Sequence, residues 1–193
     1  MQAPRPRNCL VSTFTRWDDD PVAPRQVPDR EVRSNRRHHV VVIGAGFGGL
    51  AVARSLGDAP VDVTLIEANN FHTFQPLLYQ VATAGLDSPN VAYAVRGIFR
   101  RQHNVEVRMA RVTDIDLDAN AITLDSGATV PYDTLVIAAG AVSTSFGVPG
   151  VDEHGLPLKS LDDAIAIRRR ILDQFERAAA DPSLVDDGAL NVV

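Results

Sequence analysis

The stretch VVVIGAGFGGL, residues 40–50, leaves few folds open. Val40 to Ile43 form an apolar run that reads as a strand buried on both faces. Leu50-Ala51-Val52-Ala53 opens a helix that stops at Gly57, a natural residue just past a helix end. Between strand and helix stand Gly44, Gly46 and Gly49 in G-x-G-x-x-G spacing, with Phe47 and Gly48 completing the loop. A glycine turn that opens a helix places backbone N–H groups and the positive end of the helix dipole where an anion can sit. Gly44 suits the tight turn, Gly46 lets backbone approach a pyrophosphate, and Gly49 lets the helix pack on the strand. The spacing alone recurs by chance, and its context gives it weight. A second strand, Val61 to Ile66, ends at the acidic Glu67, 18 residues past Gly49. A carboxylate there accepts hydrogen bonds from ribose hydroxyls and repels a 2′-phosphate. FAD and NAD share the same ADP half, so the loop does not choose between them.

Later elements extend the pattern. Ser88 and Pro89 read as N-cap and first residue of a helix with Val91, Val95, Ile98 and Phe99 on one face. Val105 and Val107 then alternate with polar neighbours. Ala121 to Leu124, Asp125-Ser126-Gly127 and Ala128 to Val130 read as strand, turn and strand, and together these segments predict a β-meander insertion. YDTLVIAAGA carries an apolar strand from Thr134 to Ala138 into Gly140, as expected in a parallel sheet covered on both faces. The order predicts an α/β fold: a Rossmann-like, doubly wound domain with a parallel sheet and an inserted antiparallel meander. Ser160-Leu-Asp-Asp163 is a capping box opening a helix with an apolar stripe of Leu161, Ala164, Ile171, Phe175 and Ala178. GALNVV, residues 188–193, reads as a strand entered and cut, so the natural fold is expected to continue past Val193.

Composition excludes several classes. Cys9 is the single cysteine, so there is no internal disulfide, no dithiol centre and no Cys/His cluster for structural zinc. His38, His39, His72, His103 and His154 read as ordinary histidines, and no metal is expected. Residues 1–37 carry eight Arg against five acids, a proline-rich leader expected to be disordered; the remainder is acidic, the whole chain standing at −5. That balance gives no surface for a nucleic-acid backbone. No apolar run reaches a bilayer span and no signal h-region is present, which reads as a cytoplasmic chain.

The small residues Ala138, Ala139 and Gly140 after the third strand resemble the second signature of flavoproteins with two dinucleotide-binding domains. FHTFQPLLYQVATAG, residues 71–85, strongly resembles type II NADH dehydrogenases, the single-subunit NADH:quinone oxidoreductases. YDTLVIAAGA, LKSLDDAIAIRRRIL and FERA recur in that family in this order, and the likeness spans residues 39–193. The resemblance implies FAD as cofactor, hydride transfer from NADH to the flavin, and electron transfer to a quinone. It places Gln75, Pro76 and Leu77 by the isoalloxazine, Val112 on the adenine side, and Glu176 as a carboxylate near the nicotinamide and quinone sites. Leu77 fits plain core packing equally well. Helical spacing sets Glu176 at the edge of the apolar stripe, half-buried, and a solvated surface acid is its other reading. The implied organisation is a leader (1–37), an FAD-binding domain with its meander (38–155), a connecting helix (156–187) and the first strand of a truncated NADH domain (188–193). NADH and quinone are the implied partners, with peripheral membrane association through a missing C-terminal region and room for a homodimer. The chain alone is expected to be inactive for want of the NADH domain. Flavin disulfide reductases share the loop but need a redox cysteine pair; a non-catalytic truncated FAD-binding fragment and another flavoprotein reductase with two dinucleotide-binding domains are the alternatives.

Overall fold

The computed structural model describes residues 36–191. Residues 1–35, on which most of the expected leader falls, lie outside the described residues, as do Val192 and Val193. The described chain gathers into two compact units. One runs up to Asn70 and resumes over Val95–Gly140; the other comprises Phe71–Ala94 and the residues from Ala141 onward.

The first unit is built on a four-stranded sheet of β5 (Val105–Met109), β2 (Val61–Glu67), β1 (His38–Ile43) and β9 (Thr134–Ile137) in that order, with every pairing parallel. β1 (His38–Ile43) is central; β2 (Val61–Glu67) pairs on one side, with Val40 opposite Val63, and β9 (Thr134–Ile137) on the other, with Val40 opposite Thr134. Strand alternation sorts the apolar run into two layers. Val40, Val42, Val63 and Leu65 bury against Leu50 and Ala53 of α1 (Phe47–Ser55) and Val95 and Phe99 of α3 (Val95–Phe99). Val41, Ile66 and Leu135 bury on the opposite face, against Ile122, Leu124, Val130 and Tyr132. Ile122, Leu124 and Val130 belong to an antiparallel meander of β6 (Val112–Asp116), β7 (Ala121–Leu124) and β8 (Thr129–Pro131), and Tyr132 directly follows its last strand.

Two assignments change here. Val105 and Val107 are not part of the meander: β5 (Val105–Met109) joins the parallel sheet as its edge strand beside β2. Its alternation arises because the valines pack with the helix-side core, whereas Glu106 and Arg108 are exposed and pair with each other at 2.8 Å. The meander's first strand is Val112–Asp116, which the sequence pattern did not single out. Gly57 follows the end of α1 as expected, yet it is absent from the positive-φ glycines. A Cβ there would meet the Arg54 carbonyl at 3.2 Å and the Gln102 amide at 3.3 Å, so close packing rather than handedness favours glycine.

Asn104 organises this end of the unit. Its Nδ2 donates to the carbonyls of Leu56 at 2.8 Å and Val61 at 3.1 Å, and its own carbonyl accepts from the Val63 N–H at 2.8 Å. Gln102 Nε2 donates to the Ala53 carbonyl at 2.6 Å. Carbonyls at the end of α1 are thereby satisfied by side chains from the segment entering β5. Asn104→Ala leaves two carbonyls without this donor and should lower stability by about 1–3 kcal/mol. A denaturant midpoint unchanged from the parent, at unchanged slope, would remove Asn104 from this role.

The second unit contains β3 (Phe71–Thr73) antiparallel to β4 (Ala92–Ala94), with His72 opposite Tyr93. A short 3-10 turn (Gln75–Leu77) leads into α2 (Leu78–Ala82). The helix expected from Ser88 through Phe99 is not formed. Ser88–Asn90 make a 3-10 turn, Ala92–Ala94 a strand, and only Val95–Phe99 is helical. The apolar spacing crosses a boundary between two cores: Val91 buries with Leu78, Val81 and Ala82, whereas Val95 and Phe99 bury in the first unit.

α5 (Leu161–Ala180) begins with the expected capping box, Ser160 Oγ accepting from the Asp163 N–H and Asp163 accepting from the Ser160 N–H. It covers α2 with Leu161, Ala164 and Ile167. Phe175, expected in the stripe, is 57% exposed. α4 (Val151–His154) precedes this helix and α6 (Ser183–Asp186) follows it. Residues 188–191 make a turn, Asn191 N–H donating to the Gly188 carbonyl at 2.9 Å, rather than the strand expected there.

Burial works to raise the Asp163 carboxyl pKa, but the N–H groups of Ser160 and Lys159 and the Ser160 hydroxyl outweigh it and leave it below its ordinary 3.8. A depressed folded-state pKa stabilises the fold above the unfolded value and loses that contribution as pH falls through the folded value. Asp163→Ala should therefore cost about 1 kcal/mol at pH 7. The gap to the parent in urea unfolding should narrow below pH 3.8. A gap that stays constant with pH would contradict the assignment.

Candidate nucleotide site

Strand order places β2 on one side of β1 and β9 on the other. Ligands in open α/β sheets bind at the carboxyl ends of the strands. Gly44 leaves β1 at φ +97, and its N–H donates to the Ile66 carbonyl at 2.7 Å. A Cβ on Gly44 would overlap the Ala138 carbonyl, and one on Gly49 would overlap the Gly44 carbonyl. These two glycines close the protein on itself.

Gly46 differs. Its φ of −71 is open to any residue, and a Cβ there would meet nothing within 4 Å. It caps α1, accepting from the Leu50 N–H at 3.0 Å, and the first turn of α1 holds no acid. Phe47 is about half-exposed, and a Cβ on Gly48 would lie at ordinary contact distance from the Ala138 methyl, at 3.8 Å. The loop thus presents glycine backbone and a helix N-terminus to open space that no protein packing requires to be open.

Glu67, at the end of β2, reaches into this loop. Its Oε2 accepts from the Ala45 N–H at 2.6 Å and its Oε1 from the Asn69 N–H at 3.1 Å. Each carboxylate oxygen accepts more than one hydrogen bond, so capacity remains for ribose hydroxyls. Ala45 and Asn69 escaped the sequence reading because they act through backbone N–H groups, which leave no side-chain signature. After β9, the Ala138 N–H donates to the Ile43 carbonyl at 2.8 Å, Ala139 and Gly140 are exposed, and Gly140 turns at φ +76.

Gly44, Gly46, Phe47, Gly48, Gly49, Glu67, Ala138, Ala139 and Gly140 all belong to the first unit, at the carboxyl ends of its parallel strands. Val112 belongs to it too, on β6, half-buried opposite Leu124 and packed on the meander core. Gln75, Pro76 and Leu77 lie in the second unit. Gln75 Nε2 donates to the Lys159 carbonyl at 3.4 Å, and Leu77 packs against the Leu78, Val81 and Ala82 core. Glu176, also in that unit, is exposed on α5 rather than half-buried, because the helix turns Ile171 and Ala178 inward and leaves it on the outer side.

A polar cleft of about 500 Å³ opens elsewhere in the first unit, lined by residues including Arg37, His39, Asp62, His103 and Arg108. Its arginines already face acids, Arg37 with Asp62 at 3.8 Å and Arg108 with Glu106 at 2.8 Å. Internal neutralisation makes it a poor competitor for an anionic ligand. Among the described residues no helix is long and apolar enough to cross a membrane.

Residues 38–180 match the pyridine nucleotide-disulphide oxidoreductase family. The chain belongs to that family of FAD-binding oxidoreductases. Its curated relatives include the type II NADH:quinone oxidoreductases NdhA and Ndh of Mycobacterium tuberculosis. NdhA is 47% identical over 145 residues, covering 74% of this chain and 31% of the relative. Ndh is 43% identical over 166 residues, covering 83% and 35%. The chain thus spans about a third of the length of these relatives. A solved structure of NDH2 from Plasmodium falciparum in complex with NADH superposes with a TM-score of 0.67 at 29% identity, over 75% of this chain and 30% of that one. The sulfide:quinone oxidoreductase of Aquifex aeolicus superposes at 0.65 and 28%, over 75% and 33%.

The glycines separate fold from ligand. Gly44→Ala forces a side chain into a left-handed conformation and onto the Ala138 carbonyl, and should cost about 1–3 kcal/mol or more. Gly46→Ala should fall within about 0.5 kcal/mol of the parent. Thermal denaturation of the two variants checks this; equal losses would show that the loop is not built as described.

Proposed function

We propose that this chain is the FAD-binding part of a type II NADH:quinone oxidoreductase, with the nucleotide half of FAD on the Gly44–Gly49 loop. The observation that carries the reading is the open direction at Gly46, above a helix N-terminus and beside the Glu67 carboxylate. That arrangement fits a pyrophosphate over the loop and a ribose beside Glu67, whose charge disfavours a 2′-phosphate. Bound FAD supplies the hydride acceptor and electron carrier between NADH and a quinone.

The chain's own residues bind and orient. Gly46, Phe47, Gly48 and Gly49 supply the phosphate cradle, and Glu67 the ribose acceptor. Val112 flanks the adenine from the meander. Ala138, Ala139 and Gly140 keep side chains clear where the cofactor leaves the strand ends. Gln75, Pro76 and Leu77 approach the ring system, and Glu176 serves as a surface carboxylate for proton transfer. Residues 38–155 then form the FAD domain, 156–187 its connecting helix, and 188–193 the entry to an NADH domain. NADH, a quinone, peripheral attachment at the cytoplasmic face of a membrane and a homodimer belong to the same reading. NADH and a quinone rest on the resemblance and on the names of the relatives; the membrane attachment and the homodimer rest on the resemblance alone.

Flavin retention tests it. The purified chain should bind FAD, and Gly46→Val should reduce that binding by about tenfold or more while far-UV circular dichroism stays parental. Parental FAD affinity in the variant, or no flavin binding by a folded parent, would overturn the assignment.

A further inference from the structure

We infer that the His39 ring, held as its Nδ1–H tautomer, fastens the meander to the parallel sheet by joining Pro131 at the end of β8 to Thr64 within β2. Both ends of this link lie in the first unit, and it stands whether or not a nucleotide binds there.

Thr64 is a polar residue where the packing calls for an apolar one. It sits opposite Val41 in the β1–β2 ladder, is 3% exposed, and shares a face of β2 with Ile66, which buries against the meander. Valine has the same shape and no polar atom, so apolar packing gives no reason for a hydroxyl here. A buried hydroxyl is tolerated where it has a hydrogen-bond partner. The partner is the His39 ring, with Nε2 2.8 Å from Thr64 Oγ1. The other ring nitrogen, Nδ1, lies 2.8 Å from the Pro131 carbonyl oxygen. A carbonyl oxygen only accepts, so Nδ1 carries the ring proton. In the neutral ring Nε2 is then a bare acceptor, and the Thr64 hydroxyl donates to it. One side chain on β1 thus reaches β2 in one direction and the end of the meander in the other, across sequence separations of 25 and 92 residues.

The layer between sheet and meander is apolar, with Val41 and Ile66 against Ile122, Leu124 and Val130. Apolar burial is non-directional and does not by itself choose where one layer comes to rest on the other. Hydrogen bonds do, because they weaken steeply away from their preferred distance and angle. The two ring bonds therefore set β8 against β1 and β2. They also set the place of Val112, which pairs through β7 into the same meander.

Two measurements on the full chain without added nucleotide test the fastener. In heteronuclear NMR spectra at about pH 8.5, well above the ordinary histidine value, long-range couplings should show His39 with a proton on Nδ1 and none on Nε2. A proton on Nε2, alone or together with one on Nδ1, overturns the inference even if no variant folds. In denaturant unfolding, Thr64→Val and His39→Phe should each raise the unfolded-to-folded ratio about threefold or more. The double variant should fall short of the product of the two by about threefold or more, since the bond between them is lost only once. Thr64→Ser keeps the hydroxyl, and His39→Phe should cost as much in that background as in the parent. If His39→Phe costs as much in the Thr64→Val background as in the parent, the two side chains are not coupled and the inference falls.

Discussion

The first unit depends on two places where a side chain cannot exist. Gly44 passes so close to the Ala138 carbonyl, and Gly49 so close to the Gly44 carbonyl, that a Cβ at either position would overlap a backbone atom. The first approach seats β1 beside β9; the second seats α1 on β1. Together they bring the start of α1 over the carboxyl ends of the strands. Everything the loop can offer an anion follows from that placement, and at Gly46 alone among the three a Cβ would meet nothing within 4 Å.

The opposite end of the same strand pair is fixed by charge and hydrogen bonding. Asp133, just before β9, accepts from the His39 N–H at 2.8 Å and from Arg36 at 3.1 Å, while its own N–H donates to the His39 carbonyl at 2.9 Å. Burial pushes its carboxyl pKa upward, but the His39 N–H and the Arg36 guanidinium prevail and hold it below the ordinary value. β9 therefore meets β1 in a register set at both ends. Sites on rigid elements keep their geometry better than sites on loops, and here the loops leave a pair of strands whose offset cannot slide by one residue without burying the wrong face.

Much of the first unit was legible because its signals are local. The apolar run into glycines, the acid closing β2, the Thr134 strand and the Ser160–Asp163 capping box each contain their own cause. The errors arose where a pattern depended on distant partners. Val91, Val95 and Phe99 carry real burial at helical spacing, but into different cores. Val105 and Val107 alternate because β5 sits at a sheet edge, not because it belongs to a hairpin. Phe71–Thr73 and Ala92–Ala94 pair across a separation that no local propensity encodes. At the glycine loop the side-chain contributor Glu67 was visible, whereas the N–H groups of Ala45 and Asn69 were not. Spacing also put Glu176 at a half-buried edge, which would have required α5 to be covered over a wider arc than α2 provides.

The discontinuous make-up of the second unit has a bearing on synthesis. Leu78, Val81, Ala82 and Val91 bury with Ala164 of α5, and the intervening residues build part of the other unit. Translation proceeds at about 5–20 residues per second, so roughly 4–15 seconds separate emergence of Val91 from that of Ala164. During that interval an apolar surface waits at the ribosome for its cover. The sheet and meander are completed in the same interval, and the order of emergence favours assembly of the parallel sheet before α5 covers α2.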